Sequence, residues 1–103
     1  KPGVKTGDIM DAINDTLREG GLECSLDQGG HGVGIDGQEP PAIALGETFE
    51  VQENMVLALE CWTFETDANG HHRVYGGEDY VHVTRYGCDP LPTFPTDIMT
   101  LGK

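Results

Sequence analysis

The spacing of apolar residues changes character along the chain. Between Thr6 and Glu19, the residues Ile9, Met10, Ile13 and Leu17 recur every three or four positions with polar residues between them. That is the period of one helical face, and it predicts an amphipathic helix over residues 6–19 whose stripe is core. Thr6 is expected to cap this helix, Asp8 and Asp11 suit the positive end of its dipole, and Gly20-Gly21 should stop it. From Met55 to Phe64 the pattern becomes nearly continuous, Met-Val-Leu-Ala-Leu-Glu-Cys-Trp-Thr-Phe, as for one strand crossing a sheet. Asp67-Ala68-Asn69-Gly70 marks a turn, since Asn-Gly is a strong hairpin signal. Val74-Tyr75 and Tyr80 to Thr84 continue the sheet, and Tyr86-Gly87-Cys88-Asp89-Pro90 should end it. Pro90, Pro92 and Pro95 predict an irregular tail. The fold class is α+β: one helix, then several antiparallel strands.

Between helix and strands lies a stretch without a period. Five glycines fall between Gly29 and Gly37, with His31 among them in Gly-His-Gly-Val-Gly. Such a run is either a flexible turn or a place where backbone packs closely against a site. It is no dinucleotide fingerprint, because Gly30 and Gly32 would require a glycine at Ile35, and no Walker lysine follows. Glu39-Pro40-Pro41 then forces an extended segment.

Composition narrows the function classes. The 103 residues carry 18 acidic and 6 basic side chains, a formal charge of −12. Nucleic acids and anionic membrane surfaces are bound through clustered Lys and Arg, so neither is expected as a partner. No apolar run approaches the roughly 18 residues of a membrane span, and no basic-then-apolar leader opens the chain. Cys24, Cys61 and Cys88 are odd in number and form no Cys-x-x-Cys pair. They read as reduced thiols in a cytoplasmic protein. The chain starts at Lys1 rather than Met, which fits a piece of a longer protein.

Three residues stand out as chemistry. Glu60 interrupts the apolar strand between Leu59 and Cys61. An unpaired buried carboxylate costs several kcal/mol, so Glu60 faces solvent, pairs with a cation or binds a metal. Glu78 opens the strand Glu78-Asp79-Tyr80-Val81-His82-Val83-Thr84, where alternation puts Val81 and Val83 on one face and Glu78, Tyr80 and His82 on the other. His31 is the third candidate. One imidazole and two carboxylates suit a divalent metal such as Mn, Co, Fe or Zn. His71-His72 sits in a polar turn and reads as surface.

These residues also come in a recognisable order. Gly-His-Gly-Val-Gly-Ile, then Glu39-Pro40-Pro41, then Asn54-Met55-Val56-Leu57-Ala58-Leu59-Glu60, then Gly77-Glu78-Asp79-Tyr80-Val81-His82-Val83-Thr84 resembles the pita-bread metallopeptidase family of Xaa-Pro aminopeptidases, prolidases, methionine aminopeptidases and creatinase. The resemblance runs from the helix at Thr6 to Phe94-Pro95-Thr96-Asp97. It implies that residues 1–103 are the C-terminal half of a pita-bread catalytic domain whose upstream half lies outside this chain. It further implies two divalent metal ions in the intact parent, held by two upstream aspartates together with His31, Glu60 and Glu78. Glu60 would also be the catalytic general base. The implied substrate is a small peptide, as for a Xaa-Pro dipeptidase. The alternatives are a small zwitterion, as for a creatinase-like or ectoine-type hydrolase or a dimethylsulfoniopropionate C–S lyase, and a degenerate metal-free binding module. The partners implied are the missing half of the domain and a second copy in a homodimer.

Three departures from the family pattern matter, and a fourth is benign. Gln38 stands where a substrate-contacting histidine is usual, seven residues after His31. Cys61-Trp62 follows Glu60 where the peptidases have proline, and Gly76 replaces an arginine or similar residue two before Glu78. Asn54 replaces a tight-turn glycine, which is benign because Asn tolerates the left-handed conformation. The resemblance thus keeps the ligands and changes the residues that would face substrate.

Overall fold

The amphipathic stretch forms helix α1 (Thr6–Glu19) in a computed structural model that describes residues 1–23 and 27–102. Met10 is fully buried, and Ile9 and Ile13 pack against the same core. Asn14, a polar position in the sequence pattern, is also buried. The expected cap is corrected. Lys5 occupies the N-cap position, and Thr6 is the first helical residue, wholly buried with a hydroxyl that finds no partner among the described residues. The first-turn amides are instead satisfied by main chain, Thr6 N–H donating to Phe49 O at 2.9 Å and Gly7 N–H to Glu47 O at 3.1 Å. A sequence window cannot show a cap that comes from forty residues away. The other end follows the sequence: Gly21 N–H bonds Arg18 O and Leu22 N–H bonds Leu17 O, both at 2.9 Å, closing the helix in a Schellman pattern.

Five strands follow: β1 (Gln28–Gly32), β2 (Glu39–Ala44), β3 (Val56–Thr66), β4 (His72–Val83) and β5 (Cys88–Pro90). They form one antiparallel sheet in the order β2-β1-β3-β4-β5. α1 packs on β2 and β1. Leu57, Val83, Ile43, Val51 and Met10 make the buried cluster, with Leu59 and Val81 against it. Alternation then puts Glu60, the residue between Leu59 and Cys61, on the opposite face of β3.

Three details differ from the sequence expectation. The glycine-rich stretch is not a loop at its start but the interior strand β1, buried from Gly29 to Gly32. Gly30 shows why: its φ is +144°, and a Cβ there would overlap the Ala58 carbonyl oxygen of β3. Close backbone approach, not β-propensity, builds this strand. The segments at Val74-Tyr75 and Tyr80–Thr84 are one continuous strand, β4, running through Gly76-Gly77. The terminal Tyr86–Pro90 segment adds a short fifth strand, paired with β4 from Val81 to Val83. Beyond Leu91 the described tail is irregular and largely exposed. The turn at Asp67–Gly70 forms as expected, with Gly70 N–H on Asp67 O at 2.9 Å and Gly70 at φ +81°. Asn54 does take the left-handed conformation, at φ +69°. Cys88 is an exposed free thiol, while Cys24 lies outside the described residues. Among the described residues no helix is long and apolar enough to cross a membrane.

Candidate metal centre

Strand register assembles the site. His31 on β1 pairs with Ala58 on β3, so Glu60 is the next side chain along β3 on that face. Glu78 on β4 stands directly opposite Glu60. Three adjacent strands thus deliver one imidazole and two carboxylates to one spot, with a ligand atom from each lying within 4.8 Å of the others. Burial falls across the three: His31 is buried, Glu60 intermediate and Glu78 exposed. Of the readings the sequence left for Glu60, solvent exposure is the one overturned, since its side chain is only 23% accessible.

The hydrogen bonds restrict what can occupy the centre. His31 Nδ1 lies 2.9 Å from the Gly32 carbonyl oxygen. A carbonyl only accepts, so Nδ1 carries a proton and Nε2 is the ring atom turned to the centre. It lies 2.9 Å from Glu60 Oε1, and a carboxylate only accepts. A positive species, proton or metal cation, therefore belongs between them. Directly opposed like charges on neighbouring strands destabilise a sheet, and Glu60 opposite Glu78 is such a pair. A cation shared by His31, Glu60 and Glu78 answers both problems.

Two neighbours were not singled out as site residues in the sequence. Trp62 donates its indole N–H to Glu60 Oε2 at 3.0 Å. Tyr80 donates its hydroxyl to Glu78, and its pKa is raised above 10.0, first by that hydrogen bond and then by the Glu78 charge, with burial and the Glu60 charge adding to it. The available signal was the period of two, which puts Trp62 and Tyr80 on the same face as the two glutamates.

Gln38 is exposed and lines two adjoining hollows. One, of about 410 Å³, is shared with His31, Pro40 and Phe49. The other, of about 350 Å³, is shared with Glu60, Asp27 and Gln28. His71 and His72 are exposed at the tip of the β3–β4 hairpin, bonded to Asp67 and Thr66, and take no part in the centre.

Known proteins share the sequence pattern and the fold of this chain. The sequence is 31% identical over 102 residues to YkvY of Bacillus subtilis (strain 168), which bears the name of a dipeptidase, covering 98% of this chain and 27% of that protein. The fold matches dipeptidase PepE from Mycobacterium ulcerans with a TM-score of 0.84 at 27% identity, over 96% of this chain and 26% of PepE. It matches methionine aminopeptidase from Thermotoga maritima with a TM-score of 0.72 at 26% identity, over 88% of this chain and 43% of that enzyme. The chain therefore spans about a quarter of the length of the two dipeptidases. The expected α+β architecture is that of these pita-bread proteins. The sequence profile of metallopeptidase family M24 covers residues 1–85, and the chain belongs to that family.

Proposed function

We propose that this chain is the C-terminal part of a dinuclear metal-dependent peptidase domain, in which His31, Glu60 and Glu78 are three of the metal ligands. The observation that carries the reading is their convergence within 4.8 Å from three adjacent strands. The donor set fits: a neutral imidazole and two carboxylates suit Mn, Co, Fe or Zn. Two ions need more donors than these three, so the remainder would come from residues outside this chain. By itself the chain would be inactive and would hold metal weakly.

When bound, the metal supplies Lewis acidity and lowers the pKa of water toward neutrality. The protein's own part is proton transfer and placement. Glu60, held between His31 and Trp62, takes a proton from the attacking water and passes it to the departing amine nitrogen. Glu78 adds the second negative charge of the cradle. Gln38, at the edge of both hollows, would contact substrate as a hydrogen-bonding amide. The substrate would be a dipeptide, as the names of YkvY and PepE suggest, and the family resemblance of the sequence points to the Xaa-Pro type. A cytoplasmic setting agrees with the exposed free thiol of Cys88.

A second reading rests on Gln38. An amide does not titrate near neutral pH, so it cannot give the acid–base help of a histidine, which is typically worth about 10²–10⁴-fold. A pocket shaped for a small zwitterion could use the amide at that position as a hydrogen-bonding partner instead. The test compares Xaa-Pro dipeptides with creatine, ectoine and dimethylsulfoniopropionate, using this chain joined to the rest of its domain. The peptidase reading expects dipeptide cleavage that rises in Gln38→His. Turnover of a zwitterion alone, with Gln38→His inert on dipeptides, would replace it with the second reading.

A further inference from the structure

We propose that Trp62 is a positioning residue that fixes the Glu60 carboxylate, and that Gly76 is the seat for its indole. The proposal rests on the metal-ligand reading of His31, Glu60 and Glu78 and extends it to a side chain beyond the cradle. The two oxygens of Glu60 are divided between different partners: Oε1 lies 2.9 Å from His31 Nε2, and Oε2 accepts the Trp62 N–H at 3.0 Å. An indole N–H can only donate, so it holds one carboxylate oxygen without offering a competing ligand. With Oε2 tied back, the carboxylate plane is fixed and Oε1 stays aimed at the point shared with His31 and Glu78. Without that tie, a half-buried glutamate with three rotatable bonds could swing away from the cradle.

The indole keeps this position because of the residue across the sheet. Gly76 on β4 pairs directly with Trp62 on β3, and a Cβ at Gly76 would overlap ring atoms Cε3, Cδ2 and Cζ3. At the adjacent Gly77 a Cβ would meet nothing within 4 Å, so the close approach is particular to the glycine under the ring. Trp62 and Gly76 therefore act as a pair, and neither explains itself alone. Of the departures from the family pattern, the Cys61-Trp62 pair after Glu60 and the glycine two before Glu78 are thereby linked through the indole.

Trp62 is the sole tryptophan of the chain, which makes its emission a direct reporter on Glu60. The experiment titrates the full 103-residue chain with Mn²⁺, following heat and tryptophan fluorescence, in the wild type, Trp62→Phe and Gly76→Ala. Trp62→Phe keeps an aromatic ring but removes the N–H together with part of the indole, so Tm is followed beside affinity to separate the two losses. Loss of such a ligand-orienting partner typically weakens metal binding by about 10–100-fold, and that loss is expected with an unchanged Tm. Gly76→Ala should displace the indole, shift its emission and weaken binding in the same direction, which keeps the test open if Trp62→Phe folds poorly. A merely space-filling tryptophan would give the opposite split: Tm falls in Trp62→Phe while Mn²⁺ affinity stays within about twofold, and the proposal is overturned. If the wild type gives no heat and no change in emission even with Mn²⁺ in large excess, beyond the weak affinity expected of this chain alone, the metal reading fails and takes this proposal with it. Wild-type binding that survives both substitutions refutes the role of Trp62 alone.

Discussion

The two ends of the β3–β4 hairpin make an instructive contrast. Both belong to one uninterrupted ladder, from Val56 opposite His82 to Thr66 opposite His72. At the near end, β1 pairs with Leu57, Ala58 and Leu59, and Leu57 and Val83 are buried. At the far end the two strands run on as a ribbon in which Phe64, Val74 and Tyr75 are about half exposed. The residue types at the two ends are not very different. What differs is whether a third strand lies alongside. β1 stops pairing with β3 at Gly30 opposite Leu59, and Glu60 is the next residue along. The candidate centre thus sits at the step from the full sheet to a two-stranded ribbon, where a side chain is held on one flank and open on the other. That accounts for the fall in burial from His31 through Glu60 to Glu78.

The largest expected effect separates the two ends. Gly30→Ala imposes a strained φ and drives a methyl into the Ala58 carbonyl, so it should lower unfolding free energy by about 3 kcal/mol or more. Phe64→Ala on the ribbon should cost no more than about 1 kcal/mol. Denaturant unfolding of both variants checks this. Equal losses would mean that the ribbon is packed as firmly as the layer.

A smaller effect sharpens the contrast at the hairpin tip. The backbone N–H of His71 and then that of Asn69 donate to the Asp67 carboxylate, at 3.0 and 2.8 Å, and hold its pKa below the ordinary 3.8. A depressed carboxylate pKa gives stability that is complete above the unfolded value, about 3.9, and is lost as pH falls through the folded one. The amide resonances of Asn69 and His71 should therefore move with a midpoint below 3.8. Asp67→Ala should abolish that transition and leave global Tm nearly unchanged. A large fall in Tm would show that the tip is coupled to the core.

The sequence made the near end legible through side chains and left its backbone hidden. Ile9, Met10, Ile13 and the run from Met55 to Phe64 announce a helix and a strand because apolar side chains carry the period. β1 has almost no side chains to carry one. Its glycines are selected by how near Ala58 and Pro40 approach, a distance that only the folded sheet defines. Gly76-Gly77 looked like a gap between strands for the same reason, whereas Gly76 is where an indole lies. Thr6 resembled a cap because its type is right, yet the main chain near Glu47 and Phe49 fills that role. His31, Glu60 and Glu78 were each individually readable, and their placement in a single cradle follows from the register of three strands. The tie from Trp62 to Glu60 needed the side-chain geometry itself.

The most direct measurement is crystallographic: crystals of the chain soaked in excess zinc, with the ion located by its anomalous scattering. The account predicts a peak in the cradle, with His31 Nε2 and one oxygen each from Glu60 and Glu78 at about 2.0–2.2 Å. It also predicts no ion of comparable occupancy at the His71–Asp67 tip, where the groups are exposed and bonded to one another. An empty cradle, with His31 Nε2 still against Glu60 Oε1 and zinc only at the hairpin tip, would contradict it.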